Sequence, residues 1–588
     1  MRRIWVVLLA SVLLGGSVVA QEAADGTAPE MATPLGVGEV SPELQAALAL
    51  KAEGAPVQSE DWMVVAAHPL AVEAGARVLR EGGTAADAMV AVQAVLGLVE
   101  PQSSGLGGGG FLVWYDAASG SITTLDGRET APLEATPRLF QNVDGTPMGF
   151  WQAVIGGRSV GVPGVPALME DAHRRWGRAN WRGLFGEAIQ LAEDGFPVSK
   201  RMAASVSRDA ERLASHPVTR RYFLPEGAPL AEGHLLKNPA YGRSLRALAE
   251  QGAAPFYSGD IARHIVQAVR TAPNPGLLSM VDMALYRVKE RPPVCAAYRG
   301  YDVCGMGPPS SGGLAVGQIL GLASPFRMFE RSPEDAESWR IIGDASRLAF
   351  ADRGRFVADS DFVPVPAKGM LDKDYLRTRA ELLRGDDALP EVVPGAPEFD
   401  HARAPDDAIE RPSTTHISIV DAYGNALSMT SSVENGFGSR VMAGGFLLNN
   451  QLTDFSFRSH RGGVPVANRV EPGKRPRSSM SPTIVLRDGK PVLVLGSPGG
   501  SRIIGYVAKT IIAHLDWGLD VQQAVTLPHL VNRFGMFDLE DDALAGDLRA
   551  IGYEVKVRGM NSGLHAISID GGLRGGADPR REGVALGN

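Results

Sequence analysis

Hydrophobic and polar residues alternate most regularly just after residue 414, where the pattern predicts a β-hairpin. Residues 415–420 and 426–432 both alternate with the period of two that is typical of strands. Between them, Asp421 and Gly424 occupy the first and fourth positions of a turn, as a type I turn with a glycine bulge prefers. The sequence therefore predicts two antiparallel strands joined by this turn.

The predicted hairpin has one polar and one apolar face. Pairing across it places Ser418 opposite Ser428, His416 opposite Thr430, and Thr414 opposite Ser432. The other face carries Thr415, Ile417, Ile419, Leu427 and Met429. Because the apolar face must contact a core, the polar face is half buried or lines a site, although such a face is more often simply solvated. A site is favoured because Thr414 begins the strand directly after a segment that cannot hold regular structure.

The rest of the chain divides into a helix-rich first part and a strand-rich second part. Residues 85–99 are apolar nearly all round, as in a buried helix, and Thr84 and Asp87 precede them in the pattern of a capping box. Residues 160–385 are mostly amphipathic helix. Further strands are predicted at 111–115, 122–125, 446–450, 483–487, 491–496, 553–557 and 564–570, with one helix at 501–515. This distribution indicates α+β layers.

The first twenty residues have the three parts of a secretory signal peptide. Arg2 and Arg3 precede an apolar run over residues 4–14, and Ala20 ends the segment with a small residue. A membrane anchor is the alternative, but the run is short of the roughly 20 residues that span a bilayer. We expect cleavage after Ala20, no other membrane span, and export to the periplasm or the medium.

Two further segments are predicted to lie outside the packed core. Residues 21–60, rich in Ala, Pro, Glu and Gly, are expected to form a loosely ordered N-terminal arm. Residues 385–413 are acidic and carry five prolines, so we expect an exposed linker.

Composition and charge describe a large, mildly acidic globular protein. Of the 588 residues, 44% are hydrophobic and 21% are charged, which excludes wholesale disorder. With 58 basic and 66 acidic residues, the chain offers no electrostatic basis for binding nucleic acid. The 11 histidines show no metal-binding spacing, and we expect no metal and no cofactor.

Glycines cluster in two loops that bear on chemistry. Residues 105–110 match the dinucleotide pattern G-x-G-x-x-G, but a helix precedes them and a strand follows, which is the reverse of that fingerprint. A turn that allows close backbone approach is favoured there. Residues 496–500 follow a strand and open a helix, so their N–H groups favour negative charge. In an acyl-transfer enzyme this turn would form an oxyanion hole, whereas a plain tight turn is the simpler alternative.

The two cysteines are placed for a disulfide. Residues 293–297 and 301–306 are predicted strands around Arg299-Gly300. A two-residue turn there would make Cys295 and Cys304 a non-hydrogen-bonded pair, with Cα atoms about 4.5 Å apart. That separation allows a disulfide, and two buried free thiols are the alternative.

Nine short segments, taken together and in order from about residue 62 to 583, carry a family resemblance. They are VLGLVEPQSS (95–104), DGRETAP (126–132), PPSSGG (308–313), AFADR (349–353), TTH (414–416), LNNQ (448–451), SSMSPT (478–483), GSPGGS (496–501) and ADPR (577–580). Each alone is weak, but the ordered set is highly specific. The chain resembles a γ-glutamyltranspeptidase of the Ntn-hydrolase superfamily.

The resemblance implies a four-layer αββα sandwich built jointly by two chains cut from one precursor. The precursor would cleave its own Ser413–Thr414 bond, giving a large subunit over residues 61–413, after the N-terminal arm, and a small subunit over 414–588. Thr414 would then be the N-terminal nucleophile. A threonine hydroxyl needs an adjacent base, and the new α-amine, with a reference pKa of about 7.7–8.0, is such a base near neutral pH.

The resemblance also implies roles for residues in the matching segments. Ser432 corresponds to a second hydroxyl beside the nucleophile, and Gly499 and Gly500 to the oxyanion hole. The α-carboxylate of a γ-glutamyl substrate such as glutathione would be held by Arg128, Ser478 and Ser479, and its α-amino group by Gln451 and Asp454. Taken singly, these side chains could equally be a solvated arginine, loop serines and a turn cap. His416 is expected to be a hydrogen-bonded sheet histidine and not a base.

Two departures from the family pattern leave the substrate open. Glu434 stands where the transpeptidases usually have Asn, and its carboxylate would favour an ammonium but repel an α-carboxylate. The segment between Phe455 and Ser478 is shorter than in enzymes with a full substrate lid. The expected function is a γ-glutamyltransferase or glutathione hydrolase, passing the acyl group to water or to an amino-acid or peptide acceptor. The alternatives are a glutaryl or cephalosporin acylase of the same fold and a catalytically inactive secreted binding protein.

Overall fold

Two seven-stranded antiparallel sheets form the centre of the structure. The computed structural model describes residues 40–399, 401–406, 408, 410, 411 and 413–588. Sheet I has the strand order Val584–Gly587, Met63–Ala66, Thr415–Val420, Ala426–Ser432, Gly109–Asp116, Ser121–Gly127, Lys289–Arg291. Sheet II has the strand order Val57–Ser59, Leu573–Ala577, His565–Ile569, Lys490–Gly496, Thr483–Arg487, Tyr301–Gly305, Val294–Tyr298. Each sheet thus combines strands from both sides of Thr414.

Helices and small ribbons make up the remaining regular structure. The helices are Pro42–Ala52, Pro69–Arg80, Ala85–Val99, Phe150–Val154, Val165–Trp176, Gly186–Asp194, Lys200–Leu213, Pro217–Phe223, Pro239–Gln251, Ala254–Tyr257, Asp260–Thr271, Met280–Leu285, Gly312–Ala323, Ala336–Phe356, Ala367–Met370, Lys373–Ala380, Ile503–Leu515, Val521–Thr526 and Ala545–Ala550. The ribbons contain the strands Phe196–Pro197, Leu235–Leu236, Met442–Ala443, Phe446–Leu447, His460–Arg461, Val464–Pro465, Leu530–Asn532, Met536–Leu539 and Glu554–Val557.

The two sheets and the helices on their outer sides form four layers, with an apolar core between each pair of adjacent layers. Between the sheets, Val65 and Val113 of sheet I pack in one cluster with Ile484 and Val494 of sheet II. On its other side, sheet I is covered by helices that include Ala85–Val99. The outer side of sheet II is covered by helices that include Gly312–Ala323 and Ile503–Leu515. The predicted αββα sandwich is therefore confirmed, and it is built by residues on both sides of the 413–414 bond.

The hairpin after residue 414 has the predicted register. Ser418 pairs with Ser428 and His416 with Thr430 across its two strands. Its apolar face, with Ile417, joins the core beneath the helices, whereas its polar face lies against sheet II. Both faces are buried, because the polar side chains find hydrogen-bond partners in the second sheet.

The capping box and the disulfide are both present. The Thr84 side chain accepts from the Asp87 N–H, and Asp87 accepts from the Thr84 N–H, at the start of helix Ala85–Val99. Cys295 and Cys304 face each other across adjacent strands and are bonded through their Sγ atoms. The turn between those strands has positive φ at Arg299 (53°) and Gly300 (81°), as in the two-residue hairpin that the spacing predicts.

The N-terminal arm is more ordered than the composition suggests. Residues 1–39, including the predicted signal peptide, lie outside the described residues. From there, residues 42–52 form a helix and 57–59 an edge strand of sheet II, so the expectation of a loose arm is wrong for this part. The helix forms because Ser41 caps it and Leu44 and Ala47 are buried.

The proline-rich linker is exposed only along its first part. Between residues 385 and 413, the described positions lie outside helices and strands, as predicted. However, Glu410, Arg411 and Ser413 are buried, so the end of the linker is not an exposed tether. An ion pair and backbone hydrogen bonds hold this polar end of the linker in its buried position.

Several predicted element boundaries shift by one to three residues. The strand expected at 446–450 covers only Phe446–Leu447. The next residues leave the strand direction, because the Asn449 side chain donates to the Gly107 carbonyl oxygen and the Asn450 side chain accepts from the Asn435 N–H. The helix expected from residue 501 begins at Ile503, after a 3₁₀ turn. Among the helices of the described residues, none combines the length and apolar character needed to cross a membrane.

Candidate active site

Thr414 lies at the point where the buried end of the linker enters sheet I. Its side-chain hydroxyl donates to Ser432 Oγ at 3.3 Å, as expected from the neighbouring pair Thr415 and Ser431 in the sheet register. The Ser432 hydroxyl in turn donates to the carbonyl oxygen of Ser413 at 2.6 Å. The two predicted hydroxyls and the peptide carbonyl before Thr414 thus form one hydrogen-bonded group.

The backbone on both sides of the 413–414 bond is held by groups from the first part of the chain and from the C-terminus. The Ser413 hydroxyl donates to the carbonyl oxygen of Gln102. Arg581 Nη1 donates to the Thr414 carbonyl oxygen at 2.8 Å and to Glu100 at 3.3 Å. These contacts restrict the position of the peptide bond before any reaction takes place.

Gly499 and Gly500 form the turn between strand Lys490–Gly496 and helix Ile503–Leu515. Both have positive φ, at 138° and 60°, a region that favours glycine. A Cβ atom on Gly500 would lie 2.6 Å from the carbonyl carbon of Arg411, and one on Gly499 would lie 2.6 Å from the ring of Tyr506. The end of the linker therefore lies directly against the turn for which the family resemblance implies an oxyanion hole.

Arg128, Gln451 and Asp454 lie together in the same pocket. Arg128 Nη2 donates to Asp454 Oδ2 at 2.6 Å, and Gln451 Nε2 donates to the same oxygen at 2.7 Å. Burial raises the pKa of Asp454 to about 6, although Arg128 and Gln451 oppose this shift. The three side chains predicted to hold an amino-acid head group are thus neighbours, and in the uncut chain they bind one another.

Glu434 is buried beside this group. Its carboxylate accepts from the Arg411 N–H at 3.2 Å and from the Asn450 side chain. Burial and the nearby Asp454 carboxylate raise the pKa of Glu434 well above its ordinary value. Its backbone N–H donates to Ser432 Oγ at 2.8 Å, so Glu434 is tied directly to the group around Thr414.

Ser478 and Ser479 also line the pocket. The Ser479 hydroxyl accepts from Arg353 Nη2 at 2.9 Å, and the Ser478 hydroxyl accepts from the Met480 N–H at 3.1 Å. The site residues predicted from the sequence line one small pocket, apart from Ser413 and Gly499, which adjoin it. The cavity lining is Arg128, Glu410, Arg411, Thr414, Ser432, Glu434, Gln451, Asp454, Ser478, Ser479, Met480, Gly500 and Ile503.

The sequence analysis missed Glu410, Arg411 and Arg353. Arg353 lies in the AFADR segment, which was part of the family resemblance but received no role. Glu410 and Arg411 lie in the linker, whose composition hid their burial. Glu410, which lines the pocket, forms an ion pair with Arg353, a contact that no local pattern predicts.

His416 is a structural histidine, as expected. Its two ring nitrogens are within hydrogen-bond distance of Thr430 Oγ1, at 2.8 Å, and Ser418 Oγ, at 3.0 Å. Burial and the neighbouring His565 lower the pKa of His416 well below its ordinary value, which favours a neutral ring between the two sheets.

Comparisons with known proteins identify relatives over nearly the whole chain. The family model for gamma-glutamyltranspeptidase matches residues 71–588. The glutathione hydrolase proenzyme of Bacillus subtilis (strain 168) is 36% identical over 546 residues, covering 90% of this chain and 92% of the relative. The acylase ACY 1 proenzyme of Pseudomonas sp. (strain SE83) is 32% identical over 552 residues, covering 91% of this chain and 95% of the relative.

Solved structures show the same fold. Cephalosporin acylase from Bacillus halodurans matches with a TM-score of 0.80 at 24% identity, covering 91% of this chain and 97% of that one. Gamma-glutamyltranspeptidase of Helicobacter pylori matches with a TM-score of 0.55 at 34% identity, covering 57% of this chain and 96% of that one.

Proposed function

The chain belongs to the gamma-glutamyltranspeptidase family of enzymes, and on that premise we propose that it is a self-processing γ-glutamyltransferase or glutathione hydrolase. Thr414 is its nucleophile, and γ-glutamyl amides such as glutathione are its donors. The observation that carries this proposal is the group formed by Thr414, Ser432 and the Ser413 carbonyl, which joins a nucleophile, a polarising donor and a scissile bond.

Self-processing follows from that geometry. Thr414 Oγ1 attacks the carbonyl carbon of Ser413, the C–N bond breaks, and the hydroxyl proton goes to the departing nitrogen. The product is an ester between Ser413 and the Thr414 side chain. Water then hydrolyses the ester, which leaves a carboxylate on Ser413 and a free hydroxyl and α-amine on Thr414. The Ser432 hydroxyl stabilises the charge that develops on the Ser413 oxygen.

The new α-amine is the base for the acyl-transfer reaction. It takes the proton of the Thr414 hydroxyl as Oγ1 attacks the donor amide, and it gives that proton to the leaving amine. The N–H groups of Gly499 and Gly500 stabilise the oxyanion. The resulting γ-glutamyl ester on Thr414 is transferred to water or to the amine of an acceptor.

The charged residues of the pocket suit an amino-acid head group. Arg128, with Ser478 and Ser479, binds the α-carboxylate of the donor, since a planar guanidinium pairs well with a planar anion. Gln451 and Asp454 bind its α-ammonium. The Arg128–Asp454 contact at 2.6 Å supports this assignment, because both charges lie in one small pocket and a zwitterion can replace their mutual contact.

Glu434 favours a second candidate function, that of a glutaryl-type acylase. It adds a buried carboxyl group where the head group would lie, and a relative named as an acylase matches most of the chain. The third alternative, an inactive binding protein, has no support, since the relatives are named hydrolase and acylase proenzymes and the predicted catalytic side chains are brought together.

A gel and a donor assay test the proposed function. The purified protein is expected to run as two fragments on a denaturing gel, with Thr414 at the N-terminus of the smaller one, and Thr414→Ala is expected to remain whole and inactive. The processed enzyme should release p-nitroaniline faster from γ-glutamyl-p-nitroanilide than from glutaryl-p-nitroanilide. The reverse preference would assign the protein to the acylases, and an active uncut chain would disprove the mechanism.

A further inference from the structure

A carboxylate of the chain itself occupies part of the substrate pocket. Glu410, four residues before Thr414, is only 6% exposed and pairs through Oε1 with Arg353. Arg477 Nε lies 3.8 Å from the same oxygen. A buried carboxylate between two guanidinium groups is an anion in a site that recognises anions.

Arg353 is held rigidly in this position. Its Nε donates to Ser311 Oγ at 2.8 Å, and its Nη2 donates to Ser479 Oγ at 2.9 Å as well as contacting Glu410. Burial and the neighbouring Arg477 lower the pKa of Arg353 to about 10. The guanidinium therefore needs an anion beside it, since a second positive charge and a dry environment both disfavour it.

Glu410 cannot stay in place when a donor binds. Its carbonyl oxygen accepts from the Ser501 N–H at 3.3 Å, and the Glu410–Arg411 backbone fills the space against Gly500. The reacting carbonyl of a donor must occupy that same space. Cleavage of the 413–414 bond frees the segment to leave, and its departure removes the carboxylate from Arg353.

We propose that Arg353, together with Ser479, binds the carboxylate of the donor's acyl group, and that Glu410 occupies this subsite until the chain is cut. The inference rests on the proposed function, because it names a residue that recognises the donor of the same site. Glu410 is thus an internal stand-in for the substrate, and the uncut chain is blocked at its carboxylate subsite as well as at its nucleophile.

Arg353 complements Arg128 in this role. Two nitrogens of Arg128 are already committed, because Nη2 donates to Asp454 and to the Arg477 carbonyl oxygen, and Nε donates to the Pro476 carbonyl oxygen. On Arg353, the departure of Glu410 frees an N–H of Nη2, the same nitrogen that donates to the pocket residue Ser479. A donor carboxylate can therefore reach Arg353 without breaking another contact of the protein.

The first test uses the uncut chain and needs no catalysis. In Thr414→Ala/Glu410→Ala, the side chain that is removed corresponds in size to acetate. We expect sodium acetate to raise the Tm of this variant above the rise given by sodium chloride, and to have no such effect on Thr414→Ala/Glu398→Ala, which lacks an exposed glutamate of the same linker. Adding Arg353→Gln to the Glu410→Ala variant should abolish the effect. The proposal would be overturned if acetate still raised the Tm after Arg353→Gln is added. It would also be overturned if acetate raised the Tm of neither the Glu410→Ala variant nor the Glu398→Ala variant.

The second test uses the processed enzyme and three p-nitroanilide donors. γ-Glutamyl and glutaryl donors carry the carboxylate, whereas the 4-aminobutanoyl donor lacks it. Arg353→Gln should lower kcat/KM for the γ-glutamyl and glutaryl donors about tenfold or more, mainly through KM, and should lower it much less for the 4-aminobutanoyl donor. Arg353→Lys keeps the charge but loses the planar pair of N–H groups, so its kcat/KM for the two carboxylate donors should lie between those of the wild type and of Arg353→Gln. As a control, Arg377→Gln replaces an exposed arginine and should have the kcat/KM of the wild type.

The two tests separate the possible failures. If Arg353→Gln lowered kcat/KM equally for all three donors, or for none of them, Arg353 would be shown not to recognise the carboxylate. If the wild type cleaves none of the donors, the proposed function fails, while the acetate experiment still decides whether Arg353 binds a carboxylate.

Discussion

The Ser432 hydroxyl donates a hydrogen bond of 2.6 Å to the carbonyl oxygen of Ser413, the residue immediately before Thr414. Thr414 and Ser432 lie side by side at the ends of two paired strands. The hairpin therefore carries both the proposed attacking hydroxyl and the proposed donor to its target carbonyl, and the sheet register fixes the distance between them.

Removal of this donor should slow self-processing. A hydrogen bond to a developing oxyanion contributes about 1.5–3 kcal/mol, so Ser432→Ala is expected to cut the chain about 10–100 times more slowly. The measurement is the appearance of two fragments with time on denaturing gels after in vitro expression.

Two variants control this experiment. Ser432→Thr keeps the hydroxyl and should process at a rate near that of the wild type. Ser431→Ala removes the neighbouring serine, whose hydroxyl donates to Gln93 on the other face of the strand, and should change stability more than processing. If Ser432→Ala were processed at the wild-type rate, the hydrogen bond from the Ser432 hydroxyl to the Ser413 carbonyl oxygen would be shown not to contribute to cleavage.

The Arg128–Asp454 pair predicts a donor-dependent effect of substitution. Arg128→Ala should lower kcat/KM at least about tenfold for both γ-glutamyl and glutaryl donors, because both carry the carboxylate. Asp454→Ala should impair only γ-glutamyl donors, because glutaryl donors lack the ammonium. Since each single change leaves a buried charge without its partner, the Tm of each variant should be recorded alongside the kinetics. Equal losses on both donors for Asp454→Ala would contradict its assignment to the ammonium.

The raised pKa of Asp454 predicts a pH dependence of substrate preference. Burial raises the pKa of Asp454 to about 6 in the uncut chain, and the nearby Glu410 adds to this shift. In the processed enzyme, from which Glu410 is proposed to leave, we expect the pKa to lie at or below this value. The carboxyl group becomes neutral as the pH falls through its pKa, and only the ionised form attracts an ammonium, so KM for γ-glutamyl donors should rise at acidic pH while KM for glutaryl donors should not rise from this cause. Protonation of the Thr414 amine lowers turnover of both donors, and the ratio of the two KM values therefore isolates Asp454. A ratio that is constant from pH 4 to 8 would exclude this role.

Glu434 can be tested by replacement with Asn, which has a shorter and uncharged side chain. Glu434→Asn removes a carboxyl group whose pKa is raised by burial and by Asp454, so its charge, and its repulsion of an α-carboxylate, grow as the pH rises. We expect the variant to turn over γ-glutamyl donors several-fold faster than the wild type at alkaline pH, with a smaller difference under acidic conditions. A variant that is slower at every pH would indicate that the contacts of Glu434 with Asn450 and the Arg411 N–H matter more than its charge.

The Cys295–Cys304 bond should stabilise the edge of sheet II. The bond spans a sequence separation of 9 residues, and a loop of this size corresponds to about 2–3 kcal/mol in the chain-entropy account. Reduction with dithiothreitol should lower the Tm of the wild type and leave Cys295→Ala/Cys304→Ala unchanged. Mass spectrometry that finds both thiols free in exported protein would contradict the bond.

Local patterns in the sequence were sufficient for the elements whose residues lie close together in the chain. The register of the Thr414 hairpin follows from Asp421, Gly424 and the alternation around them, and the Cys295–Cys304 pairing follows from the Arg299-Gly300 turn. Both depend on interactions within about ten residues, where geometry leaves few choices.

The sequence by itself therefore determined the family, the layered α+β architecture, the candidate nucleophile and most of the candidate residues in its pocket, but not Glu410 or Arg411. Only the tertiary structure decided what those residues contact. Arg128 and Asp454 are 326 positions apart and yet form one ion pair, and Arg353 is paired with Glu410, which the linker's composition suggested was exposed. The reason is physical: a charged residue becomes buried only where a distant partner compensates for its loss of water, and that partner is supplied by the fold and not by the neighbouring sequence.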